Sequence, residues 1–420
     1  MGARLLALVG ALLLLGALAG PARAVPRFSI TAGSPCTTCH VNPTGAGLRN
    51  AIGFESMDDV GLVEYGVTPH NALFDDLLTL GADVRIQAVR LGAPEIPPGE
   101  TEIVEPELSV IPMQVQPYIG LNPHESLWIY ASWTAGPNTF GEGKLCDTVY
   151  AGQSCFDAAI QWQPDPSVPM LRAGMIQPSI GIRRDDHTLY IRGDAADRRA
   201  PLVPPNYADW GAEFSYQPVS WFRGEVGAVL AQNLDEALNT GANRAADLWP
   251  AAVSTRVMFL PQLVFGGAEP APASEDEFGD DFGDDFDAAP APDPFVINTW
   301  IGASAQLSDE YRRIDAFAAA GIHQGVELHV EAAYVELGED YTVFNQLLGA
   351  SYAPRPWIAL AARAEHAATT HEGEESVAWQ YVAGLEFFPL PFVEIRPEYR
   401  IVKTDAYLFG QPTVQLHLFY

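Results

Sequence analysis

From about residue 76 to Tyr420 the chain repeats one pattern: roughly ten residues in which apolar and polar side chains alternate, then a group of turn residues. Because side chains on a strand point to opposite faces in turn, such a segment has one apolar and one polar side. In residues 326–334 one side holds Val326, Leu328, Val330, Ala332 and Tyr334, and the other Glu327, His329 and Glu331. The same division sets Val393, Ile395, Tyr399 and Ile401 against Glu394, Arg396, Glu398 and Arg400, and Trp210, Phe214 and Tyr216 against Asp209, Glu213 and Ser215. Although 48% of the chain is hydrophobic, no window past the N-terminus has the run of 18 or more apolar residues that marks a membrane helix.

A soluble sandwich alternates too, but it keeps lysines on its surface for solubility. Here Lys144 and Lys403 are the only lysines. Short proline-bearing turns recur at 122–124, 163–166, 353–356 and 389–391, with longer polar segments between some of them. Tight turns at one end and longer loops at the other are the layout of a transmembrane β-barrel, here all-β, antiparallel and of about sixteen strands. Pro112, Pro117 and Pro397 fall within expected strands, where a missing N–H interrupts the ladder, so bulges are expected there. Val414, Leu416, Leu418 and Tyr420 share one face of the last strand, which resembles the C-terminal signature by which outer-membrane proteins are recognised for assembly.

The N-terminus reads as an export signal over residues 1–24: Arg4, an apolar run over residues 5–19, and the small-x-small site Ala22-Arg23-Ala24. That run is shorter than the ~20 residues of a spanning helix. Residues 25–75 then form a short segment, and residues 76–420 the barrel. The segment carries Cys36-Thr37-Thr38-Cys39-His40, two thiols and an imidazole at the spacing of c-type haem attachment. A zinc site would need a second ligand pair, and Cys146 and Cys155 supply no such knuckle. They bracket eight residues between strands, and in an oxidising compartment a disulfide closing that loop is the simplest account. At about fifty residues the segment is near the lower limit for a core of its own, so it is expected to dock in or under the barrel.

For the sixth position on iron, Met57 and His70 both follow the motif, and five-coordinate iron is the third option. Arg172, Arg183, Arg184, Arg192, Arg198 and Arg199 cluster in one stretch and would either select anions in a lumen or pair with its carboxylates. Asp185, Asp186 and His187 are three adjacent residues, an arrangement that rarely converges on one metal ion. Residues 267–294 form an acidic low-complexity insertion, which strand parity puts at the periplasmic end and length at the outside. A formal charge of −30 excludes nucleic acid as a natural partner.

The run Cys36-Thr37-Thr38-Cys39-His40-Val41-Asn42-Pro43-Thr44-Gly45-Ala46-Gly47-Leu48-Arg49-Asn50 resembles the mature N-terminus of bacterial haem-bearing outer-membrane proteins in which a monohaem c-type motif precedes a porin-like barrel. The resemblance implies one covalent haem c on Cys36 and Cys39, with His40 as the proximal iron ligand. Residues 171–184 are similar to the glycine- and proline-punctuated strand of phosphate-selective and related porins. The expected protein sits in outer-membrane lipid with its haem segment periplasmic, and acts in redox or electron transfer at the envelope. The alternatives are a general or anion-preferring porin with the segment as plug or gate, and a haem-based redox or gas sensor. No side-chain catalysis is expected. A periplasmic or multihaem cytochrome is the implied electron partner, and porin-like barrels often form homotrimers.

Overall fold

The computed structural model describes residues 26–63, 72–90, 107–135, 154–182, 189–193, 195, 202–203, 207–238, 250–266 and 294–420, with isolated gaps in these spans. The export signal, His70, Cys146, Arg183, Arg184, Asp185, Asp186, His187, Arg198, Arg199 and the acidic insertion lie outside the described residues.

Eighteen strands follow one another: β1 (Ala72–Leu73), β2 (Leu78–Arg90), β3 (Leu108–His124), β4 (Leu127–Trp133), β5 (Phe156–Trp162), β6 (Met170–Ile176), β7 (Asp209–Val219), β8 (Phe222–Val229), β9 (Ala252–Phe259), β10 (Gln262–Phe265), β11 (Phe295–Leu307), β12 (Tyr311–Ile322), β13 (Val326–Leu337), β14 (Tyr341–Arg355), β15 (Ile358–His371), β16 (Glu374–Leu390), β17 (Val393–Thr404) and β18 (Leu408–Phe419). Sixteen of them form one closed antiparallel ring, and the short β1 and β10 pair onto β2 and β11 as extensions. The ring closes where β18 meets β2, from Thr413 opposite Val89 to Phe419 opposite Asp83, and β9 passes to β11 directly. Closure removes every open sheet edge, which is what allows strands to cross lipid. No described helix is long and apolar enough to cross a membrane.

The faces are inverted relative to a water-soluble fold. On β13, Glu327, His329 and Glu331 are 3%, 7% and 1% exposed, whereas Leu328, Val330 and Tyr334 are 45%, 45% and 40% exposed. The polar face therefore lines the lumen and the apolar face surrounds the barrel. Aromatic side chains mark the outer rim: Trp221 and Phe222 sit in and beside the β7–β8 turn, and Trp221 stacks on Phe259 with ring centroids 6.4 Å apart. Interfacial aromatics of this kind belong to membrane barrels.

Two of the three strand prolines disturb the pairing as expected. The register between β2 and β3 shifts where Ile86 meets Pro112. Around Pro397 no β16–β17 pairs occur between Gly384–Glu398 and Phe387–Ile395. Pro117 sits opposite Ala82 without a shift.

The early part of β2 and the C-terminus lie at the same end of the ring, tied by reciprocal backbone bonds of 2.8 Å between Ala82 and Tyr420. β10 and the start of β11 flank the acidic insertion, and β11 begins at that same end.

Candidate functional site in the barrel lumen

The N-terminal segment sits in the lumen toward the end that holds the C-terminus. Helix α1 (Pro26–Ala32) packs Ile30 against wall residues that include Met258, Trp300 and Phe317, and Cys36 joins the same cluster. Helix α2 (Ala51–Glu55) and the turn after it place Phe54, Met57 and Val60 in a second cluster with Phe388, Phe392 and Phe419 of the barrel. Each fully buried side chain of this size is worth about 1.5–3 kcal/mol. Docking therefore supplies the apolar core that some fifty residues cannot build alone.

Local hydrogen bonds explain the conformation between the two helices. Cys36–Thr38 is one turn of 3-10 helix, continued by amide donation from Cys39 and His40 to the Cys36 carbonyl at 3.2 and 2.9 Å. The chain then reverses, so that His40 faces Arg49 and the Val41 amide donates to the Leu48 carbonyl at 3.0 Å. Asn50 caps α2 by accepting from the Gly53 amide at 3.0 Å, and its own amide donates to the Thr38 carbonyl at 3.1 Å. One side chain thereby ties the helix to the cysteine turn.

The wall grips this turn through paired arginines. Arg223 donates to Thr37 Oγ1 at 3.2 Å while its Nε holds Glu225 at 2.8 Å, and Arg256 holds the other Glu225 oxygen. Arg172 donates to Asn42 Oδ1 at 2.9 Å and pairs with Glu213 at 2.8 Å, fully buried. Of the two roles open to Arg172, pairing with a lumen carboxylate is the one observed. Burial pushes the Cys36 thiol above its usual range, opposed by the charges of Arg256 and Arg223. Burial also pushes the Arg49 guanidinium down.

Against this turn lies a cavity of about 320 Å³, lined by Cys36, Cys39 and His40 from the segment and by Trp300, Phe317 and His329 among others from the wall. The motif's three chemical groups thus share one space inside the ring. Met57 is completely buried in the aromatic cluster and does not line that space. Among the described residues Cys36 and Cys39 are the free cysteines, and Cys155 is buried just before β5. No group of three or more His, Cys, Asp or Glu among the described residues could hold a metal ion.

A second obstruction comes from the β6–β7 connection, which crosses the lumen to the far wall. The Tyr190 amide donates to Glu365 at 2.6 Å, the Ala195 amide to Thr369 Oγ1 at 2.9 Å, and Asn345 Nδ2 to the Gly193 carbonyl at 3.0 Å. Arg192 belongs to the 3-10 turn Tyr190–Arg192 of this connection. Nothing in the local sequence distinguishes this inward loop from an outward one, since its partners are wall residues more than 150 positions away.

No protein-family profile matches the chain. No curated protein matches it. Among solved structures, OprB of Pseudomonas putida superposes with a TM-score of 0.51 at 9% identity, covering 82% of this chain and 95% of that one. The outer membrane channel DcaP of Acinetobacter baumannii superposes at 0.48 with 8% identity, covering 82% and 97%. The OprB likeness is one of fold: a closed sixteen-strand antiparallel barrel.

Proposed function

We propose that the protein is an outer-membrane barrel of the porin type whose passage is closed by its own N-terminal segment, and that this segment carries one covalent haem c. The observation that carries the proposal is the seat of the cysteine turn inside the lumen, with Cys36 packed on the wall and Thr37 bonded to Arg223. The apolar outer face supports residence in outer-membrane lipid. The end holding the C-terminus and the docked segment would then face the periplasm.

The residues present fit a haem. Both sulfurs and the His40 imidazole line one cavity, its walls are largely apolar, and Arg49 and Arg396 line it as cations of the kind that meet propionate carboxylates. Cys36 and Cys39 would form the thioethers and His40 would be the proximal ligand. When bound, the group supplies one-electron exchange. The chain's own part is to hold the turn rigid through Asn50, to exclude water with Trp300 and Phe317, and to balance charge with paired arginines.

The seat of the motif inside the ring favours a second reading, electron transfer at the envelope. One haem cannot carry electrons across a ~30 Å apolar layer, so a periplasmic or multihaem cytochrome would serve as partner. A disulfide between Cys146 and Cys155, and a homotrimer, complete the proposal.

Single-channel recording in planar bilayers tests the closure. The full chain is expected to show rare, brief openings, and the chain carrying both Arg49→Ala and Phe54→Ala to show sustained conductance. Equal, porin-like conductance from both would overturn the plug.

A further inference from the structure

We infer that the N-terminal segment and the start of the β6–β7 connection, residues 177–182, form one gate, held shut by two buried arginine–glutamate sites of the wall that each bind both parts. The inference rests on the closure proposed above and is independent of the haem. In the first site Arg172 and Glu213 are 0% and 1% exposed. Arg172 Nη1 donates to Asn42 Oδ1 of the segment at 2.9 Å, and its Nη2 donates to the Gln177 carbonyl of the connection at 2.6 Å. Glu213 accepts from the Ser179 amide at 2.9 Å and from Ser179 Oγ at 3.0 Å. The second site is built on Glu225, 2% exposed, between two arginines. Arg223 holds one of its oxygens and donates to Thr37 Oγ1 of the segment at 3.2 Å. Arg256 holds the other oxygen and donates to the Gly181 carbonyl of the connection at 3.0 Å. The two parts also share an apolar cluster, in which Ile182 of the connection joins Ile30 and Cys36 of the segment.

A guanidinium carries several N–H donors in a fixed fork, so one arginine serves two stretches of chain at once. When the segment leaves, Arg172 and Arg223 each lose an acceptor and water reaches the ion pairs. Hydrogen bonds that are strong in a dry, low-dielectric site weaken there, those to Gln177, Ser179 and Gly181 included. The reverse holds as well, because coupling between two sites is reciprocal. The amides of Ser179, Gly181 and Ile182 donate to wall side chains, to Glu213, to Ser304 at 2.8 Å and to Glu331 at 3.0 Å. Their exchange with solvent therefore reads release of the connection directly.

The test is amide hydrogen exchange, read at single residues by fragmentation mass spectrometry, on the full chain isolated from outer membranes. Thr37→Val combined with Asn42→Ala removes the segment's hold on Arg223 and Arg172 and keeps both ion pairs. Exchange at Ser179, Gly181 and Ile182 should then rise about tenfold, inside the ~5- to 150-fold range of such coupling. Ser179→Ala, a change confined to the connection, should speed exchange at Val41 and Asn50, whose amides donate to Leu48 and Cys39 within the segment. It serves where the double variant does not assemble. Segment exchange that rises while Ser179, Gly181 and Ile182 stay slow overturns the inference. In the chain carrying Arg49→Ala and Phe54→Ala, sustained conductance with those three amides still protected overturns it too, while the plug stands. Equal, porin-like conductance with and without those two changes overturns the plug and the inference together.

Discussion

Arg49 Nη1 donates to the backbone carbonyl of Phe419 at 2.9 Å, and the guanidinium lies 4.8 Å above the centre of the same residue's ring. One side chain of the inserted segment thus clamps the last strand of the barrel by a charge-assisted hydrogen bond and a cation–π contact. Tyr420 beside it meets Phe54 edge-on at 5.4 Å, so the segment also packs on the residue after that strand.

Replacing Arg49 by methionine keeps the apolar stem and removes both contacts. A hydrogen bond from a charged group is worth about 1.5–3 kcal/mol. Amide hydrogen exchange over residues 36–63 should therefore accelerate about 10- to 100-fold, with exchange in β11–β16 unchanged.

Phe54 is 2% exposed and packs on Phe392 at a centroid distance of 5.5 Å. Phe54→Ala should weaken docking by about 3–5 kcal/mol through lost contact and the cavity left behind. Limited proteolysis should then cleave the segment while the barrel keeps the heat-dependent gel mobility of a folded ring.

Removing Glu213 as Glu213→Gln leaves Arg172 buried beside a neutral amide. Breaking a buried pair on one side costs about 3–5 kcal/mol. Because Arg172 also holds Asn42, the change should lower the thermal midpoint of the barrel and loosen the segment together. The rim pair Arg312–Glu336, at 3.5 Å and well exposed, should contribute little when Arg312→Gln is measured in the same way.

Asn50→Ala removes the cap that joins α2 to the Thr38 carbonyl. The expected loss is about 1 kcal/mol in segment stability. The haem attached per chain, measured by pyridine haemochrome, should fall as the cysteine turn loses its fixed shape.

The barrel was legible because a strand with one face in lipid and one in a polar lumen must alternate, and β13 does so without interruption from Val326 to Tyr334. Pro112 announced its bulge for an equally local reason. The cysteine turn was legible as a spacing. What could not be read were relations across the lumen. Met57 stood as a candidate iron ligand because it follows the motif, yet the side chains that bury it, Phe388 and Phe392, arrive from β16 and the turn after it, more than 300 positions on. The inward path of the β6–β7 connection depends on Glu365 and Thr369 in the same way. His329 was visible as one lumen-facing residue among several, and only the ring closure shows that it shares a cavity with Cys36.

The placement of the segment inside the ring is tested most directly at Gly33 and Asn298. Gly33 has φ +65°, and a Cβ there would lie 3.2 Å from the Asn298 Cβ, close to the ~3.8 Å of a disulfide. A chain carrying Gly33→Cys and Asn298→Cys, oxidised in intact outer membranes and digested, should yield one peptide pair joined through these two positions in high yield. Two separate peptides, each with its thiol free to react, would contradict the account.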